Sequence, residues 1–269
     1  MGTPDLIDPV SRAGYELVVA DDFSGDRLDT GLWLPHHLPQ WSSRAASAAR
    51  YGLGDGVLRL RVEEDQPPWC PEVDGEVRVS SLQTGVRSGP VGSRDGQHRF
   101  RPDVVVGEAQ EELRLYVPQY GFFEARARVG DDPSGMSALW MIGFEDQPQR
   151  SAEICVFEIF GRDVSADRAA VGMGVRPFGD PTITDEFVRP ELPIDAREFH
   201  DYAVEWTPDH VAFFVDGGLV TVVAQAPRYP MQFMLGTYAF PRPDGSPPPG
   251  PYPKEFVVDR FRGYHRTAS

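Results

Sequence analysis

A chain of 269 residues, 41% of them hydrophobic, carries enough apolar side chain to bury a sizeable core without staples. Its formal net charge of −15, from 41 acidic against 26 basic residues, repels nucleic acid backbones and anionic lipid surfaces, so neutral ligands such as glycans remain as partners. Two cysteines, Cys70 and Cys155, are too few for a disulfide framework or a cysteine-rich zinc site, and both are expected as free thiols.

Residues 1–10 include Asp5 and Asp8 and hold no apolar run, so they do not read as a signal peptide. No window approaches the roughly 18 apolar residues of a membrane span. The expectation is a monomer with no membrane or nucleic acid partner. It is cytoplasmic as written, or extracellular if a leader has been removed. Short runs of Val, Phe, Leu and Tyr alternate with dense punctuation by 27 Gly and 26 Pro, which predicts many short strands in a sandwich or barrel.

In chain order, 45–50 reads as a short helical turn. Residues 57–62 alternate Leu58, Leu60 and Val62 against Val57, Arg59 and Arg61. The polar stretch 87–114 reads as a long loop. Along 121–129, Phe123, Ala125, Ala127 and Val129 alternate with Glu124, Arg126 and Arg128. Residues 200–206 alternate likewise, and 211–217 enters an Asp-Gly-Gly turn that 219–223 leaves, a hairpin signal. Seven prolines between 241 and 253 make a stiff loop before the closing strand at 256–264. The whole chain, 1–269, reads as one all-β domain.

One strand carries possible chemistry. Glycoside hydrolysis needs two carboxyl groups flanking the scissile bond, one ionised and one protonated. Glu153 and Glu158 lie on the apolar run Glu-Ile-Cys-Val-Phe-Glu-Ile-Phe. Five residues apart, they face opposite ways in a regular strand, and one extra residue, a β-bulge, returns both to one face. On spacing alone, a solvent-facing pair of glutamates is an equally good reading. His36-His37 is not metal spacing on a strand, because neighbours point to opposite faces.

The surroundings decide between these. Tyr-Gly-Phe-Phe-Glu-Ala-Arg at 120–126, Gly-Met-Ser-Ala-Leu-Trp-Met at 135–141 and Glu-Ile-Cys-Val-Phe-Glu at 153–158 resemble family 16 of the glycoside hydrolases, the laminarinase-like and lichenase-like β-glucanases. Blocks at 19–23, 28–30, Trp33, 199–208, 214–217, 230–235 and 258–262 resemble the same family in the same order. The resemblance implies a jelly roll of two antiparallel sheets with a concave substrate cleft. It implies a retaining mechanism with Glu153 as nucleophile and Glu158 as acid/base, their carboxyls about 5 Å apart. It implies a β-linked glycan as substrate, with a β-1,3- or mixed β-1,3-1,4-glucan first, and transglycosylation shares the same chemistry.

Three departures bear on activity. Cys155 stands where the family has an Asp, so one charge that would tune the pair is missing. Its loss by itself lowers the pKa values of both glutamates, and the glutamates in turn hold the thiol protonated. Met136-Ser137 replaces a Trp-Pro, which removes one sugar platform and leaves Trp140 as the other. The third is the long 87–114 segment. A catalytically weakened carbohydrate-binding relative is therefore the rival reading. Met136, His200 and Trp41 join Trp140 as candidate substrate contacts, Trp69 is a weaker one, and Glu205 is expected to pair with an Arg. No cofactor is required by this chemistry. Asp259 matches a position that holds a structural calcium ion in many members.

Overall fold

A computed structural model describes residues 14–267, and residues 1–10 considered above lie outside the described residues. Two antiparallel sheets stack face to face, the sandwich rather than the barrel of the two architectures that the strand patterning allows. The larger sheet runs Gly218–Val223, Val211–Val215, His200–Trp206, Gly121–Val129, Lys254–Arg266, Val57–Val62 and Arg50–Gly54, with Tyr15–Asp21 also paired to Lys254–Arg266. The smaller sheet runs Glu186–Val188, Gly172–Arg176, Glu153–Phe160, Gly135–Gly143, Met231–Ala239 and Arg78–Gln83.

Alternation produces the sandwich. Phe123, Ala125, Ala127 and Val129 from the larger sheet are buried in one core cluster with Ile154, Val156, Phe157 and Ile159 from the smaller. Ring contacts join the sheets: Phe157 lies 4.3 Å from Tyr202, and Phe123 lies 4.9 Å from Phe233. Each fully buried large side chain stabilises the fold by about 1.5–3 kcal/mol relative to exposure. On the opposite face of the smaller sheet, Ala138, Trp140 and Tyr238 belong to a second cluster, which includes Trp41, Trp69 and Val104 from the connecting loops. Those loops are the walls of a hollow.

Several expectations change. Residues 45–50 form no helix. A single turn, closed by the Ser47 N–H donating to the Ser43 carbonyl at 3.0 Å, leads straight into the strand Arg50–Gly54, whose sheet pairing wins over a second turn. Glu205 accepts from the Tyr15 hydroxyl at 2.6 Å and lies 3.2 Å from His210, so its direct partners are a tyrosine and a histidine, and Arg266 acts on it only through charge. Asp259 lies 3.1 Å from Arg260 and 3.7 Å from Arg126. Two guanidinium groups at that carboxylate do not suit a calcium ion, and no step below involves one.

The 87–114 segment is a loop, as expected, but a pinned one. Gly85–Val86 pairs with Leu113–Arg114 at its base. The Gln97 carbonyl accepts from Trp41 Nε1 at 2.9 Å and Gln40 Nε2 at 3.0 Å.

Candidate active site

The bulge read from the spacing exists. Cys155 stands opposite Trp140 and Phe157 opposite Leu139, so Val156 is the extra residue. On the other neighbour, Cys155 faces Gly174 and Glu158 faces Gly172. Val156 and Phe157 therefore both enter the core, while Glu153, Cys155, Glu158 and Phe160 line one hollow of about 350 Å³. Gly174 has φ +148°, and a Cβ there would sit 2.2 Å from the Glu186 carbonyl oxygen. Only glycine lets the edge strand Glu186–Val188 lie this close to the glutamates.

The hollow has an aromatic floor and walls. Trp140 and Tyr238 come from neighbouring strands, and Trp140 Nε1 donates to the Tyr238 hydroxyl at 3.2 Å. Met136 and Ala138 share that face. Trp69, anchored by its Nε1 donating to Asp74 at 2.7 Å, stands on one wall beside His37, with ring centroids 4.6 Å apart. His98 and Phe100 enter from the 87–114 loop. Burial pushes the His37 imidazole down to about 3 and His98 to about 4, so both are neutral at ordinary pH and suit sugar hydroxyls rather than anions.

The two acids differ in environment. Glu153 is 7% exposed and has no hydrogen bond among the described residues. Burial pushes its carboxyl up to about 7, opposed by the Arg176 charge and reinforced by Glu158. Removing the family's Asp was expected to lower this carboxyl, but desolvation outweighs that effect. Glu158 is ion-paired with Arg189, which also approaches Asp163 at 3.5 Å and lies over the Phe160 ring at 4.8 Å. The Cys155 thiol is pushed well above its ordinary value, first by burial and then by both glutamates, so it is no nucleophile. Cys70 is likewise a buried free thiol, pushed up to about 11 by burial.

Of the residues singled out from the sequence, Glu153, Glu158, Cys155, Trp140, Met136 and Trp69 meet in this hollow. Two candidates do not. Trp41 is 3% exposed and packs against Gly96 behind the wall, tied to Gln97, so it is not a lining residue. His200 lies on the larger sheet, 2.6 Å from Asp216 and paired in register with Ala127. His200 is singled out by the resemblance of its Phe-His block, which marks the strand but not which sheet the strand joins. His37, His98, Arg176, Phe178, Arg189 and Tyr238 were missed. Four of them lie in loops or at the edge of the sheet, where no periodic pattern marks them.

Comparison with known proteins bears on this geometry. Residues 116–241 match the model of glycosyl hydrolases family 16. A glucan endo-1,3-beta-glucosidase A1 from Niallia circulans is 24% identical over 220 residues, 81% of this chain and 30% of that protein. The chain thus spans less than a third of that relative's length. A GlcNAcα1-4Gal-releasing endo-β-galactosidase from Clostridium perfringens superposes with a TM-score of 0.82 at 29% identity, covering 96% of this chain and 65% of the other. The catalytic domain of an endo-1,3-beta-glucanase (laminarinase) from Thermotoga petrophila superposes with a TM-score of 0.64 at 15% identity, covering 94% and 99%, a likeness of fold. The two-sheet jelly roll expected from the sequence is thus the fold of this chain. The matched segment, 116–241, contains both glutamates and the bulge between them, and over this segment the chain is similar to glycosyl hydrolases family 16.

Proposed function

We propose that the protein is a retaining glycoside hydrolase acting within a β-linked glycan, with Glu153 as nucleophile and Glu158 as acid/base. The observation that carries this reading is the bulge at Val156, which turns two carboxyl groups five residues apart onto one face of an aromatic-lined hollow. In the first step Glu153 attacks the anomeric carbon while Glu158 gives its proton to the leaving oxygen. In the second, Glu158 takes a proton from water, which displaces Glu153. Arg189 contacts Glu158 in the free protein, so substrate has to open or reshape that ion pair before the leaving oxygen is protonated. His37 and His98 supply neutral hydrogen-bonding groups beside the aromatic faces.

Two sugars compete. The likeness to the endo-β-galactosidase, in coverage of this chain, identity and TM-score together, favours a β-galactosidic linkage. The relative from Niallia circulans supports the β-1,3-glucan expected from the sequence. Reducing-end release from laminarin, lichenan and desulfated keratan, by wild type and by Glu153→Gln, tests both. The expected result is turnover of one of them by wild type and none by the variant. Binding without turnover by wild type on all three makes the protein a carbohydrate-binding relative instead.

A further inference from the structure

Beside the catalytic hollow lies a second one of about 650 Å³, lined in part by the same His98, Phe100 and Phe178. Its walls carry four arginines: Arg87, Arg94, Arg99 and Arg101. Arg87 is paired with Asp95 at 2.7 Å and Arg101 with Asp103 at 3.1 Å. Among the described residues Arg94 and Arg99 form no salt bridge, and both are exposed; Arg99 acts on the Glu145 carboxyl only through longer-range charge. Arg176, at the adjoining wall of the catalytic hollow, lies over the Phe187 ring at 3.9 Å and also has no ion pair among the described residues. The Glu145 carboxyl in the wall does not balance these charges. Burial pushes it up to about 8, so it is largely neutral at neutral pH.

This arrangement runs against the rest of the chain. With 41 acidic and 26 basic residues, an average concave surface here is negative. Grouping unpaired guanidinium groups around one hollow raises their mutual repulsion, which an anionic ligand relieves. Guanidinium is planar, permanently charged and shaped to hold sulfate or carboxylate through two parallel N–H donors. Arg176 also serves Glu153, but a neutral glycan has no use for the guanidinium groups of Arg94 and Arg99 at one end of its site.

We propose that the hollow walled by Arg94 and Arg99, joined to the catalytic hollow past His98 and Arg176, is a subsite for an anionic substituent, a sulfate ester or a carboxylate, on the sugar chain. The proposal rests on the hydrolase reading above and adds to it the class of glycan. No bond is made or broken in the subsite. It holds the charged group so that the neighbouring linkage lies between Glu153 and Glu158.

The test separates binding from turnover. In the full chain carrying Glu153→Gln, affinity is measured by isothermal titration calorimetry for four oligosaccharide probes. These are keratan sulfate, the same material desulfated, an unsulfated sialylated N-acetyllactosamine chain and laminarin sulfate, at low and at high salt. The charged form is expected to bind about tenfold tighter than its uncharged parent, because two partly exposed charge-assisted contacts of modest strength combine to about that factor. The preference is expected to shrink at high salt and to vanish on adding Arg94→Gln and Arg99→Gln. Which charged probe gains tells sulfate from carboxylate. Equal affinity for charged and uncharged forms, a preference that survives both substitutions, or no binding of any probe overturns the subsite. Wild-type turnover on the same glycans reports on the other reading. Cleavage without charge preference keeps the hydrolase and removes the subsite, whereas an arginine-dependent preference without cleavage keeps the subsite and removes the hydrolase.

Discussion

In the proposed mechanism the chemistry turns on Glu153, and burial sets the behaviour of that carboxyl. The nucleophile role proposed for it requires the ionised form, yet desolvation pushes this carboxyl up to about 7. The acidic limb of kcat/KM is therefore expected close to pH 7, with activity falling about tenfold per unit below it. Arg176 is the charge that favours the ionised form, so Arg176→Gln moves that limb to higher pH, and a pH–rate profile of the two proteins checks the direction. Cys155→Asp adds a carboxylate next to both glutamates and is expected to move the optimum upward as well. An unchanged or lower optimum means that position 155 does not act on the pair through charge. Glu153→Gln and Glu158→Gln are each expected to lower kcat by at least about 10²–10⁴-fold, with affinity for glycan retained.

At the scale of the element, the bulged strand and its glycine-bearing neighbour act as one device. Val156 is the residue that puts Glu158 on the cleft face, and Gly174 lets the edge strand lie close enough for Arg189 to reach it. Gly174→Ala forces a Cβ into the Glu186 carbonyl at a positive φ, so a loss of about 2–4 kcal/mol is expected in urea unfolding. Turnover should fall with it, since the strand that leads to Arg189 has to move. A variant as stable and as active as wild type shows that the close approach is not needed. The bulge was legible because two acids on an apolar strand cost energy unless they share a site, and the odd spacing then required an extra residue. The loop residues were not legible for the opposite reason. His98 and Arg176 reach the site through long-range packing of the pinned 87–114 loop and the end of an inner strand, and neither leaves a trace in local periodicity. Trp41 misled because an aromatic residue in a predicted loop resembles a sugar platform, whereas here its ring fills the space behind the wall.

For the whole molecule, two buried carboxyls tie function to stability. Glu153 is held near 7 and Glu145 near 8, each first by desolvation, against an ordinary value of 4.5. In both cases the folded state keeps a proton that the unfolded chain gives up, so the slope of stability with pH is negative between about 4.5 and 8. Below that window the two groups are neutral in both states and contribute no penalty. Above it, each costs several kcal/mol, since one pKa unit corresponds to about 1.4 kcal/mol. Buried ion pairs act the other way. Asp132, lowered by its contacts with Lys254 and Ser134, contributes stability that is lost in acid. Glutamine has the shape of the protonated carboxyl and never ionises. Glu153→Gln and Glu145→Gln are therefore expected to melt close to wild type at about pH 5 and clearly above it at about pH 8.5, with the double variant highest. The Glu145 side-chain oxygen that accepts from the His98 backbone N–H at 2.5 Å is kept in the amide, so that contact survives the change. Thermal melts of the four proteins across this range decide it. Variants that melt below wild type at every pH show that ionising these buried carboxyls carries no penalty that an amide removes, and Glu153 is then not the strained group that its burial makes it.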